Sequence, residues 1–174
     1  MRPAIQDRAA VCAKKMPVEP GKSKEKGQTM VYLGIDPGRK GAIATIWDDE
    51  HIVIIPMSDE NMIHRARLLH GENVRCCLEQ VHAMPKQGVT SMFTFGMGYG
   101  FIKGCLESFG ISYQEIPPQR WKKEFGLTGA KADSIAVCKR LFPGVKLRMS
   151  DLCKTDSDGM AEALLMAEYA RRKL

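Results

Sequence analysis

The chain has 174 residues, of which 44% are hydrophobic and 26% are charged, and its formal net charge is +6. This length and composition favour one globular domain with a substantial core, and they exclude fibrous and wholly disordered proteins. No apolar stretch reaches the roughly 18–20 residues of a membrane span, and the amino terminus lacks a secretory hydrophobic segment. Six cysteines without zinc-type spacing favour a reduced, intracellular protein, in the cytoplasm (a host cytoplasm for a viral protein) or in an organelle.

Residues 1–29 lack hydrophobic periodicity and are rich in Lys, Pro, Gly, Ser and Gln, which predicts a disordered basic tail before a domain at 30–174. In chain order, the domain is predicted to contain strands at 31–36, 41–47 and 51–55, a helix at 59–69, a strand at 74–81, a loop at 84–88, a helix near 90–108, a strand at 111–116, and helices at 118–125, 130–141 and 158–172. Three successive strands followed by alternating helices and strands predict an α/β fold, a mixed five-stranded sheet with helices on both faces.

Two parts of this pattern allow more than one interpretation. Residues 91–100 combine Phe93 and Phe95 with several glycines, which fits either a flexible loop that contacts unstacked bases or a glycine-faced helix packed on another helix. Trp121 lies in a basic stretch and fits either an anchor in the core or a stacking platform for a base.

The positive charge is concentrated in two segments. Residues 1–30 contain seven Lys or Arg against three Asp or Glu, and residues 117–154 contain nine against three, so the rest of the chain is net −4. An acidic centre beside basic segments is typical of a polyanion held over a divalent-metal site. A solvated helical surface explains the same charges without any ligand.

Four carboxylates lie at positions where the pattern predicts burial. Asp36 follows the first strand, Glu79 interrupts the fourth, and Asp158 and Glu162 lie one turn apart on the last helix. A buried carboxylate costs several kcal/mol unless it is protonated, paired or bound to a metal. The sequence therefore predicts one shared cation site built from these acids.

Each acid also has a simpler explanation. Asp36 fits an Asp-Pro-Gly turn, and Glu79 fits an edge strand with its side chain in solvent. Asp158 fits a helix cap together with Asp156 and Ser157, and Asp156 is also the competing ligand. Glu162 lies too far into the helix for capping to explain it.

Taken in order, three motifs resemble those of RuvC-type Holliday-junction resolvases, especially their compact phage and organelle branches. These motifs are Gly34-Ile-Asp-Pro-Gly38, Leu78-Glu-Gln-Val81 and Asp158-Gly-Met-Ala-Glu-Ala-Leu-Leu-Met-Ala167. The resemblance covers about residues 31–172 and implies an RNase H-like fold. Many bacterial members have two acids three residues apart on the last helix, whereas Asp158 and Glu162 are four apart. The choice between Asp156 and Asp158 as a ligand therefore stays open.

The resemblance also implies a set of site residues. The four acids would bind two Mg²⁺ or Mn²⁺ ions in each active site, and Lys131 would complete the catalytic set of Asp36, Glu79, Asp158, Glu162 and Lys131. The predicted nucleic-acid-binding residues are Lys122, Lys123, Lys131, Phe93 and Phe95.

The implied activity is that of a crossover junction endodeoxyribonuclease, which resolves four-way DNA junctions as a homodimer in recombination and repair. Metal-assisted hydrolysis of the phosphodiester would leave 5′-phosphate and 3′-hydroxyl ends. Two alternatives remain at this point: an RNase H-like nuclease that acts on RNA–DNA hybrids, and a non-catalytic module that binds junctions. A kinase or ATPase of the actin type is excluded, because that fold needs a second similar domain.

Overall fold

The structure is a computed structural model that describes residues 29–48, 51–82, 88–128 and 131–174, without the side chain of Lys131. The elements are β1 (Met30–Ile35), β2 (Ala42–Trp47), β3 (Ile52–Pro56), α1 (Asp59–Leu69), β4 (Asn73–Glu79), α2 (Val89–Ser108), β5 (Tyr113–Ile116), α3 (Pro118–Glu124), α4 (Lys131–Leu141) and α5 (Asp158–Lys173). Residues 1–28 of the predicted tail and 84–87 of the predicted loop lie outside the described residues.

The five strands form one mixed sheet, as the sequence predicts, and their order in it is β3-β2-β1-β4-β5. The first three strands are an antiparallel meander, while β4 pairs in parallel with both β1 and β5. Ile35 of β1 is in register with Leu78 of β4, so Asp36, just after β1, and Glu79, the last residue of β4, lie at the same end of the sheet. Because β4 lies between two strands, the explanation of Glu79 as an edge-strand residue is wrong.

Helices cover both faces of the sheet, because alternate side chains of each strand point to opposite sides. One face packs Leu33, Ile35 and Leu78 against α1 and α2. The other face packs Ala44 and Cys77 against α3, α4 and α5. The protein therefore has two hydrophobic cores separated by the sheet.

Helix α5 lies against the middle of the sheet and is the most deeply buried helix among the described residues. Gly34 of β1 permits this close contact, since a Cβ atom built there would lie 2.2 Å from the carbonyl oxygen of Ala163. The cap of α5 is Ser157, whose Oγ accepts a hydrogen bond from the N–H of Met160 at 3.4 Å. Of the three residues predicted to cap this helix, Asp156, Ser157 and Asp158, Ser157 is confirmed as the cap, and the prediction is wrong for the two aspartates.

Helix α2 packs through its carboxyl-terminal half only. Its buried residues are Ile102, Cys105 and Leu106, whereas residues 93–98 are exposed. The prediction of a flexible loop over 91–100 is therefore wrong, since these residues are helical. Within the described part of the chain, no helix combines the length and the apolar character needed to cross a bilayer.

Candidate active site

The four predicted acids meet where the ends of β1 and β4 face the start of α5. The charges of Asp158 and Glu162 both raise the pKa of Asp36, and the charges of Asp36 and Glu162 raise the pKa of Glu79. Like charges act in this way only at short range, because salt and water screen distant pairs. The structure therefore brings the four carboxylates into one cluster, hereafter the acid cluster.

Burial is the main reason why two acids of the cluster hold protons unusually tightly. Loss of solvation raises the pKa of Asp36 to about 6, against a partly compensating hydrogen bond from the N–H of Gly38. The same cause raises the pKa of Glu79 to about 7. Lys122 opposes both increases. With these pKa values, Asp36 is mainly ionised at neutral pH and Glu79 is about half ionised.

Glu162 is held by two donors from the helices that precede α5. Lys122 Nζ lies 3.0 Å from Glu162 Oε1, and the hydroxyl of Ser134 donates to the same oxygen at 3.1 Å. Ser134 is buried, whereas Lys122 is partly accessible. Of the lysines predicted to bind DNA, Lys122 therefore faces the acid cluster directly.

Trp121 on α3 contacts the carboxylate of Glu79. Its side chain is 0% exposed, and its indole N–H donates to Glu79 Oε1 at 3.1 Å. The interpretation of Trp121 as a core anchor is confirmed, and the interpretation as a stacking platform is wrong. The hydrogen bond to Glu79 is a contact that sequence reasoning missed, since it joins residues 42 positions apart.

The structure separates the two competing acids at the start of α5. Asp156 is paired with Lys139, and Arg148 Nε lies 4.0 Å from its other oxygen. Asp158 instead acts on Asp36, whose pKa it raises. Asp158 therefore belongs to the acid cluster, and Asp156 is neutralised by basic side chains outside it.

The donor chemistry of the cluster fits Mg²⁺ or Mn²⁺, which prefer carboxylate oxygens. Buried carboxylates that raise one another's pKa are also the arrangement that a divalent cation relieves. As the side chains stand, no three His, Cys, Asp or Glu residues in the described ranges converge closely enough to coordinate one ion. Metal binding would thus require movement of these side chains, with Glu162 leaving Lys122.

The other predicted site residues lie in different places. Lys123 is exposed, and the side chain of Lys131 at the start of α4 is outside the described residues. Phe93 and Phe95 are exposed on α2. Phe95 helps to line a cleft of about 800 Å³ beside the turn that follows Asp36, and Phe93 is not part of that lining.

Tyr99 is a second contact that the sequence did not reveal. Its hydroxyl donates to Glu115 Oε2 at 2.6 Å and lies 3.2 Å from the carbonyl oxygen of Glu79. Lys103, one turn further along α2, lies 2.7 Å from Glu115 Oε1. Tyr99 and Lys103 are four residues apart, and this spacing indicates that both side chains lie on one face of a helix. The sequence contained no other local signal for these contacts. These contacts join α2 to the backbone of the acid cluster.

Comparison with known proteins finds one relative by sequence and two similar structures. No protein-family profile matches the chain. The chloroplastic Holliday junction resolvase MOC1 of Chlamydomonas reinhardtii is 34% identical over 89 residues, which are 50% of this chain and 10% of that protein. Thermus thermophilus RuvC is structurally similar, with a TM-score of 0.52 and 19% identity over 82% of this chain and 96% of RuvC. The same protein in complex with a Holliday junction substrate gives a TM-score of 0.52 and 16% identity over 83% and 96%. The chain therefore has the RuvC fold, and the predicted RNase H-like architecture is confirmed.

Proposed function

We propose that this RuvC-like chain is a metal-dependent endonuclease that resolves four-way (Holliday) DNA junctions in recombination and repair. The observation that carries this proposal is the acid cluster, four partly buried carboxylates that the ends of β1 and β4 and the start of α5 bring together at one end of the sheet. The likeness to MOC1, which is named as a Holliday junction resolvase, and to RuvC, which was solved with a junction, supports the choice of substrate.

The proposed ligands of two Mg²⁺ or Mn²⁺ ions are Asp36, Glu79, Asp158 and Glu162. When bound, such ions lower the pKa of water and stabilise the charge that develops on the leaving oxygen of a phosphodiester. The protein contributes rigid placement, because two acids follow paired strands and two project from the most buried helix. Lys122 lies beside these acids and is placed to contact the phosphate once Glu162 binds metal.

DNA would be held by the basic segment that surrounds the acid cluster. Residues 117–154 contain nine Lys or Arg against three Asp or Glu, which suits contacts to several phosphates. Lys122, Lys123 and Lys131 are the proposed DNA contacts of this segment, and Lys131 is proposed to act at the scissile phosphate. Phe95, in the cleft beside Asp36, is positioned to contact an unstacked base, and Phe93 would extend that surface.

A homodimer is part of the proposal, since symmetric junction cleavage needs two active sites. The exposed half of α2 supports it: Val89 is 87%, Phe93 69% and Met97 61% exposed. Glycines 96, 98, 100 and 104 leave open space around their Cα atoms, which would let a second helix approach closely. A twofold axis would pair this patch with itself. The chloroplastic relative favours an organelle among the compartments that the sequence allows.

The test is cleavage of a mobile four-way junction in the presence of Mg²⁺. We expect paired nicks with 5′-phosphate and 3′-hydroxyl ends, which DNA ligase reseals without other enzymes. Asp36→Asn, Glu79→Gln and Glu162→Gln should each abolish nicking and leave junction binding intact. Normal nicking by these variants would show that the acid cluster is not the catalytic site, and binding without nicking by the wild type would leave only a junction-binding module.

A further inference from the structure

Three acids of the cluster share a pattern in how the protein holds them. One oxygen of each accepts a hydrogen bond from a fixed donor: Asp36 Oδ1 from the N–H of Gly38 at 2.9 Å, Glu79 Oε1 from Trp121 and Glu162 Oε1 from Ser134. Among the described residues, the second oxygen of each of these carboxylates accepts no hydrogen bond. Each acid is thus fixed by one oxygen, with the other unused by the protein.

The donors to the two glutamates are buried and uncharged. Trp121 on α3 is 0% exposed and Ser134 on α4 is 2% exposed, so neither group can exchange its partner for bulk water. An indole N–H or a hydroxyl does not repel a divalent cation, whereas the ammonium of Lys122 does. The hydrogen bonds from Trp121 and Ser134 are therefore compatible with a bound metal, whereas the contact between Lys122 and Glu162 would be weakened.

We propose that Trp121 and Ser134 are positioning residues, each holding one oxygen of a metal-binding glutamate so that its second oxygen faces the metal. This inference rests on the proposed function, because it takes Glu79 and Glu162 as ligands. It assigns a task to α3 and α4, which carry none of the four acids: α3 orients the acid of β4, and α4 orients the acid of α5. Groups that hydrogen-bond to metal ligands in this way restrict the ligand's rotation and so raise metal affinity.

The variants Trp121→Phe and Ser134→Ala remove one hydrogen bond each and keep most of the side-chain volume. Trp47→Phe is the matched control for the first, because Trp47 ends β2, where its ring lies 5.3 Å from that of His51 and makes no described contact with the acid cluster. Ser150→Ala is the control for the second, since the hydroxyl of Ser150 lies 3.3 Å from Cys153 Sγ. If Trp121→Phe does not fold, Ser134→Ala still decides the question.

The primary readout is the affinity for Mn²⁺ itself, measured by electron paramagnetic resonance on the full chain without DNA. We expect each variant to bind Mn²⁺ about 10- to 100-fold more weakly than the wild type. Each variant should also need a higher Mg²⁺ concentration than the wild type for half-maximal nicking. In EDTA each variant should bind the junction as tightly as the wild type does. A variant that had lost its overall structure would bind the junction more weakly. Both controls should match the wild type in every readout.

Wild-type Mn²⁺ affinity in a folded Ser134→Ala protein would overturn the positioning role of Ser134, and the same result for Trp121→Phe would overturn that of Trp121. A wild-type protein that binds Mn²⁺ but nicks no junction would instead contradict the proposed function. The comparison of Mn²⁺ affinities would still test the positioning residues in that case, so the two failures are distinguishable.

Discussion

A Cβ atom added to Gly159 would lie 2.1 Å from the carbonyl oxygen of Lys40, so the first turn of α5 packs directly on the loop after β1. Within that loop, Gly41 approaches Asp36 equally closely, since a Cβ there would lie 2.2 Å from the carbonyl oxygen of Asp36. Both contacts are with backbone, which cannot move aside as a flexible side chain does. They fix the distance between Asp158 and Asp36 and so set one dimension of the acid cluster.

Gly159→Ala should therefore destabilise the protein and disturb the site. Overpacking of this kind costs about 1–3 kcal/mol of unfolding free energy. Urea unfolding would measure the loss, and nicking should fall more than junction binding because Asp158 is displaced. A Gly159→Ala protein with wild-type stability and nicking would contradict the close packing.

Asp36→Asn should abolish nicking and yet stabilise the metal-free protein at neutral pH. Burial raises the pKa of Asp36 from 3.8 to about 6, so its ionised form opposes folding above that pH. Replacing it with a neutral amide removes a penalty of about 1–3 kcal/mol. Thermal unfolding in EDTA would show a higher Tm for the variant, and added Mg²⁺ should narrow the difference. A lower Tm in EDTA would mean that the carboxylate of Asp36 is not under electrostatic strain.

The metal-free protein should lose stability as pH rises through the pKa values of Asp36 and Glu79. Both are raised by burial, to about 6 and about 7, above their unfolded values of 3.8 and 4.5. The stabilising effect of their protons is complete below the unfolded values and disappears as pH passes the folded ones. Unfolding in EDTA from about pH 4 to about pH 8 would measure this contribution by comparison with the double variant Asp36→Asn/Glu79→Gln, which lacks both groups.

Nicking should follow the opposite trend, because metal binding requires the deprotonated acids. The rate should rise through about pH 6 to 7, where Asp36 and Glu79 ionise. Higher Mg²⁺ should shift this acidic limb to lower pH, since metal and protons compete for the same oxygens. An acidic limb whose position does not depend on the Mg²⁺ concentration would show that other groups control it.

Lys122→Ala should shift the acidic limb of nicking to higher pH. The ammonium of Lys122 lowers the pKa of both Asp36 and Glu79 and pairs with Glu162, so its removal leaves the acids harder to ionise. Lys123→Ala removes the same charge from an exposed position and should change DNA affinity without moving the limb. Equal shifts for the two variants would indicate a general effect of net charge.

Phe93→Asp should convert a dimer into a monomer that binds the junction more weakly and makes unpaired nicks. Phe93 lies at the centre of the exposed apolar half of α2, where a buried charge would be costly. Light scattering would give the mass. Leu152→Asp is the control, since Leu152 is 86% exposed but lies outside α2, and it should leave the mass unchanged. A wild-type protein that is monomeric at all concentrations would contradict the proposed interface.

Local sequence signals were sufficient to predict the bounds of an element when those bounds depend on residues of that element alone. The helix predicted at 59–69 is found with the same bounds, because Ser58 caps its start and Gly71 adopts a positive φ just beyond its end. The strand predicted at 111–116 begins only at Tyr113, since the N–H of Ile111 donates to the carbonyl of Leu106 and so completes the end of α2.

The site was predictable in its acids but not in what supports them. Asp36 and Glu79 stood out because each ends an apolar strand, which is a property of the local sequence. The role of Trp121 depends on how α3 docks on β4, and no local pattern specifies that contact. Helix α2 is apolar on all sides, so its sequence did not indicate which half would be covered.

The central claim is that the acid cluster cleaves junction DNA, and a comparison of substrates tests it most directly. A mobile four-way junction, a linear duplex and an RNA–DNA hybrid are incubated with the wild type and with Asp36→Asn, with Mg²⁺ or with EDTA. We predict symmetric nicks in the junction alone, only with Mg²⁺ and only by the wild type. Cleavage of the hybrid instead of the junction, or junction nicking that persists in Asp36→Asn, would contradict the account.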